Sequence, residues 1–147
     1  MSSPLIPGID PGAVTPVPFL GGWTPGTESA EVRAPYDDTL LGSVPVMTPA
    51  DVDAAVAYAK NALHTEPLPQ WRRAEILDRA AELLLERRDQ FGRCIALEAA
   101  KPIKTARVEA ERAASTLQFS AAVARTLTGE TVPLEASSAG EGKIGFV

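Results

Sequence analysis

The chain is predicted to be mainly α-helical, with short β-strands before and after the helices. Three features of the sequence lead there. Apolar residues recur at helical spacing from Val52 to Leu127, Pro and Gly crowd the first thirty residues, and β-type residues return after Gly129. At 147 residues the chain fits one domain, and a closed globule of that size buries about 70% of its unfolded surface.

Residues 1–31 hold six prolines and five glycines, a density that breaks helices and leaves most of the segment as an extended arm or loop. One hairpin is expected within it. Val17-Pro18-Phe19-Leu20 and Trp23-Thr24 flank Gly21-Gly22, a pair that tolerates the positive φ angles of a two-residue turn. Val32 and Leu40–Val46 read as further short strands around the turn-forming Pro35-Tyr36-Asp37-Asp38.

The first helix opens at Thr48-Pro49-Ala50-Asp51, with a hydroxyl cap, a proline where its missing N–H costs nothing, and a carboxylate three residues after the cap. Val52, Ala55, Val56, Ala59 and Leu63 form one stripe, which the pattern predicts to be buried, and His64 and Pro67 end the helix. A second helix starts near Pro69 and carries Trp71, Ile76, Leu77, Ala80, Leu83 and Leu84. After a break near Asp89 and Gly92 it continues with Phe91, Ile95 and Leu97.

Pro102 begins another helix, whose face Ile103, Ala106, Ala110, Ala113, Ala114, Leu117, Ala121, Ala124 and Leu127 is alanine-rich enough to predict close helix packing. Gly129 is expected to stop it in the left-handed conformation. The tail returns to strand signals at Glu130–Leu134 and Lys143–Val147, separated by Ser137-Ser138-Ala139-Gly140. The last strand is read as lacking a partner, which suggests truncation.

Composition excludes several function classes. A net charge of −5, with basic residues interleaved among Glu and Asp, disfavours a nucleic-acid surface. No apolar run approaches the roughly 20 residues of a membrane span. The N-terminus lacks a basic region followed by a continuous apolar one, so a cytoplasmic protein is expected. A lone Cys94 and a lone His64 rule out an internal disulfide and a His-rich metal site.

The chemistry-bearing motifs have plainer readings. Gly140-Glu141-Gly142-Lys143-Ile144-Gly145 matches the dinucleotide pattern G-x-G-x-x-G, but no strand immediately precedes it and only two residues follow it. A flexible loop leading into a strand is the expectation. The same stretch fails as a P-loop, with Ser137 in place of the first Gly and Ile144 in place of the Ser or Thr after the Lys. Cys94, on a helical stripe beside Ile95, reads as inert packing rather than a nucleophile.

Glu98 reads as a solvated or capping group, His64 as a helix-end residue and Trp71 as a core anchor. Glu82, Glu86, Arg87, Arg88 and Asp89 read as a solvated helix face. No pair forms a catalytic dyad, so no catalytic, cofactor-binding or metal residue is assigned.

In order and spacing, however, the segments resemble the opening of aldehyde dehydrogenases. Phe19-Leu20-Gly21-Gly22-Trp23 is similar to the family's I-G-G-x-W hairpin, one residue shorter between Gly and Trp. Val32-Arg33-Ala34-Pro35-Tyr36-Asp37-Asp38 resembles V-x-N-P-x-x-G, with Ala34 and Asp38 in place of Asn and Gly. Gly42-Ser43-Val44-Pro45 then precedes Asp51-Val52-Asp53-Ala54-Ala55-Val56, similar to D-V-D-x-A-V. Trp71-Arg72-Arg73-Ala74-Glu75-Ile76-Leu77 resembles W-x-x-R-x-x-I-L, with the Arg one place off. Glu98-Ala99-Ala100-Lys101-Pro102 resembles the E-x-G-K-P joint, with Ala100 replacing its Gly, and Gly129-Glu130 and Gly145-Phe146-Val147 match the approach to the oligomerisation strands.

The resemblance implies an α/β parent with a Rossmann-like cofactor domain, a catalytic domain and a bridging strand element that joins subunits into dimers or tetramers. The implied activity is oxidation of an aldehyde to an acid with NAD or NADP. On that frame residues 1–31 form a Pro/Gly-rich arm with a hairpin, 32–129 the helical outer part of the cofactor domain, and 130–147 the start of the bridging strands. The family's catalytic Asn, cofactor-gripping Lys, general-base Glu and nucleophilic Cys all belong to segments beyond Val147. The 147-residue chain is therefore expected to be an inactive scaffold that binds no dinucleotide tightly. The competing expectation is a non-catalytic helical module that docks onto a partner or a full-length relative through its apolar stripes.

Overall fold

A computed structural model describes residues 5–147. Its elements run β1 (Val17–Phe19), β2 (Gly22–Thr24), β3 (Glu28–Arg33), β4 (Leu40–Val46), α1 (Pro49–Thr65), α2 (Gln70–Glu86), α3 (Arg88–Ala99), α4 (Ile103–Thr126), β5 (Thr131–Val132) and β6 (Gly145–Phe146). The six strands form three separate antiparallel pairs, β1 with β2, β3 with β4, and β5 with β6.

The first hairpin turns one residue earlier than its Gly-Gly pair suggests. Val17 faces Thr24 and Phe19 faces Gly22, which leaves Leu20 and Gly21 as the central residues, at φ 48° and 81°. Positive φ at both positions is the requirement of a type I′ turn, and here a leucine supplies one of them. Gly21 is also held by space, because a side chain there would run into the Tyr58 hydroxyl of α1.

β3 starts earlier than its sequence signal, at Glu28, and pairs with β4 from Glu28↔Val46 to Arg33↔Leu40, with an irregularity at Val32/Arg33. The link between them is closed by Ala34, whose N–H donates to the Thr39 carbonyl and whose carbonyl accepts from Asp38 N, both at 2.9 Å. Asp38 adopts φ 60°. Asp is among the few non-glycine residues that visit this left-handed region readily.

Within the expected arm, of which residues 1–4 lie outside the described residues, the stretch 5–15 is stitched onto this sheet. Thr15 N donates to the Ser43 carbonyl at 2.8 Å, and Ile6 joins Ala34 and Leu41 in a buried cluster. Leu5, Ile9, Val32, Cys94 and Leu97 pack against that cluster, which joins the arm and the β3–β4 sheet to α3.

α1 begins as its sequence predicts. The Thr48 hydroxyl accepts from Asp51 N, the Asp51 carboxylate accepts from Thr48 N at 2.8 Å, and Pro49 takes the first helical position. Its stripe does not behave as predicted. Val52, Val56 and Leu63 remain 54%, 62% and 69% exposed, and no residue of α1 is buried. Helical periodicity identifies a face that needs cover but not whether the cover is present.

The helical body is α2, α3 and α4, with α4 lying along both of the others. Its seam is made of the smallest side chains: Ala106, Ala110, Ala114 and Ala121 of α4 are buried, as are Ala74 and Ala81 of α2 and Gly92 of α3. Close approach of the helix axes leaves room only for methyl groups. The larger Ile76 and Trp71 are displaced to exposed positions, so Trp71 is not the expected core anchor.

The break between α2 and α3 falls at Arg87 (φ −104°, ψ 17°), ahead of Gly92. Gly92 lies within α3, where an added Cβ would come within 2.9 Å of Arg107 Cγ and 3.3 Å of its backbone. Glycine there serves helix–helix contact rather than chain breaking. α3 ends at Ala100 in the left-handed conformation (φ 51°, ψ 34°).

α4 stops at an extended Leu127, not at a left-handed Gly129. Gln70 of α2 satisfies the freed end by donating from its side-chain amide to the Leu127 carbonyl. Beyond it, two 3-10 turns (Leu134–Ala136 and Ser138–Gly140) fold the tail back so that β6 pairs with β5. Glu130 and Val147 exchange backbone hydrogen bonds at 3.1 and 2.9 Å, so the last strand does have a partner.

Candidate functional site

The residue with the most chemical potential by type, Cys94, lies midway along α3 against the cluster of Ile6, Ala34 and Leu41. Beside it is a crevice of about 240 Å³ lined by Ile6, Pro7, Ile9, Arg87, Gln90, Phe91, Cys94 and Glu98. Helical geometry places Cys94 and Glu98 on one face, four residues apart, and the thiol donates to Glu98 Oε1 at 3.2 Å.

These surroundings set the wrong protonation state for attack. Burial, followed by the hydrogen bond to Glu98 and the charge of its carboxylate, pushes the Cys94 thiol up to about 11. A nucleophilic cysteine needs the reverse, a neighbouring cation or helix N-terminus that favours the thiolate. Arg87 lines the same crevice, but the thiol's hydrogen-bond partner is Glu98. Glu98 is itself exposed and accepts from the thiol.

The glycine-rich stretch after α4 does not make a phosphate cradle. Gly140 closes a 3-10 turn and is buried so closely under the Leu134 carbonyl that any side chain would collide with it. The chain then turns through Gly142 (φ 71°) into β6, and no helix N-terminus is offered to a pyrophosphate. Glu135 Oε1 accepts from Gly142 N at 3.2 Å, which places a carboxylate where a dinucleotide would need cationic or neutral donors. These residues do not fit a nicotinamide dinucleotide.

The other sequence candidates are dispersed. His64 is exposed in the last turn of α1. In the charged face, Arg88 reaches Glu111 at 2.9 Å and Asp89 reaches Arg107 at 2.9 Å, so these charges tie α3 to α4. Among the described residues no group of His, Cys, Asp and Glu could hold a metal ion, and no helix is long and apolar enough to cross a membrane. Reading by residue type alone missed the Cys94–Glu98 contact, although the i, i+4 spacing would have revealed it.

Comparison with known proteins gives the family. The sequence profile described as "Aldehyde dehydrogenase family" matches residues 23–145. The chain is 40% identical over 126 residues to 3-sulfolactaldehyde dehydrogenase of Priestia aryabhattai, which covers 86% of this chain and 26% of that protein. It is 34% identical over 119 residues to malonate-semialdehyde dehydrogenase 3 of Geobacillus kaustophilus, covering 78% of this chain and 25% of the relative.

Among solved structures it superposes on an NAD-dependent aldehyde dehydrogenase from Sinorhizobium meliloti with a TM-score of 0.75 at 26% identity, covering 82% of this chain and 25% of that one. On aldehyde dehydrogenase 21 of Physcomitrella patens, in complex with its reaction product succinate, the TM-score is 0.83 at 25% identity, covering 91% and 28%. The chain thus spans about a quarter of the length of the curated relatives it matches. With the profile match extending over most of its residues, this chain belongs to the aldehyde dehydrogenase family.

Proposed function

We propose that this chain is an N-terminal scaffold segment of an NAD(P)-dependent aldehyde dehydrogenase that oxidises an aldehyde to a carboxylic acid, and that it does not catalyse this reaction by itself. The observation that carries the reading is the state of Cys94. The only cysteine in the sequence is kept as a neutral thiol by burial and by Glu98, and among the described residues no base is set to activate it. A family whose chemistry depends on a thiolate would have to supply that thiolate from residues other than these.

On this reading residues 32–129 form the outer helices of the cofactor domain, with 1–31 as an arm and 130–147 as the start of the strands that bridge subunits into dimers or tetramers. Other parts of the parent enzyme cover the exposed face of α1, the parent rather than this chain binds NAD or NADP, and the protein works in the cytoplasm. The chain supplies rigidity and a shaped surface to that assembly, with no proton or hydride handled by its own side chains. Incubation of the purified 147-residue chain with NAD or NADP and either 3-sulfolactaldehyde or malonate semialdehyde is expected to give no reduced cofactor. Enzyme-dependent NADH or NADPH formation would overturn the proposal.

A second reading, a self-standing helical interaction module, is favoured by one observation, the uncovered Val52, Val56 and Leu63 stripe on an otherwise well-formed helix. Sedimentation separates the two. A compact soluble monomer supports the module, whereas strong self-association or aggregation supports the scaffold.

A further inference from the structure

We draw no further inference here: the strongest candidate, the apolar stripe of α1 formed by Val52, Val56 and Leu63, belongs to the surface already assigned to the scaffold role, and nothing in the structure shows what else covers it.

Discussion

Modification of Cys94 by a disulfide reagent such as Ellman's reagent tests the state of the thiol directly. Raising a thiol from the ordinary 9.0 to about 11 lowers its thiolate fraction near pH 8 about 100-fold. The more basic thiolate is intrinsically the better nucleophile, by about six- to tenfold over that interval. The net expectation is a native chain that reacts about tenfold more slowly than the same chain in urea, before any further slowing by limited access. Glu98→Gln removes the carboxylate and should recover part of the rate. It should not recover all of it, because burial is the larger cause of the shift. A native thiol reacting as fast as the unfolded one, or faster, would refute the argument and make Cys94 an activated residue.

Ala100→Gly should stabilise the chain. A left-handed alanine costs about 1–2 kcal/mol, and the greater freedom of an unfolded glycine returns about half of that. The net gain is about 0.5–1 kcal/mol, or about 2–3 °C in the thermal midpoint followed by circular dichroism. Gly92→Leu forces a side chain into the backbone of Arg107 and should lower the urea midpoint, with a loss of about 1–3 kcal/mol. The hydrogen bonds from the Thr48 side chain and then its backbone hold Asp51 below its usual 3.8. Its contribution to stability is therefore present above that value and lost as the pH falls through the lower folded-state pKa, a loss an acid titration of the helical signal should show and Asp51→Ala should abolish. Val56→Ser should alter unfolding stability by less than about 0.5 kcal/mol while reducing self-association in sedimentation, because Val56 is already exposed.

Local chemistry made some of this fold legible in sequence. The Thr48–Asp51 cap, the helix boundaries near Pro69 and Pro102, and the alanine face of α4 each follow from interactions within a few residues. What escaped depends on distant neighbours. Gly92 reads as a breaker until Arg107 is placed beside it, and the stop at Leu127 depends on Gln70 of another helix. The pairing of β6 with β5 requires two intervening turns to fold back, and the seat of Ile6 needs both β4 and α3. The same limit governs the candidate site. The residue types around Cys94 indicate packing, but only the contact with Glu98 and the surrounding cluster reveals in which direction the thiol is driven.

Two left-handed positions deepen the comparison with the family pattern. Ala100 and Asp38 stand where the resembling motifs carry glycine, and both have positive φ. Glycine would take either backbone conformation without strain. Asp bears this easily and Ala less so.

The alanine seam of α4 also bears on how this protein can vary. Positions 74, 81, 106, 110, 114 and 121 have no side-chain torsions to freeze, so helices α2 and α4 meet like two flat planks. A library randomised at these six sites and selected for folding should return alanine, glycine and serine almost alone, whereas equal diversity on the outer faces would survive.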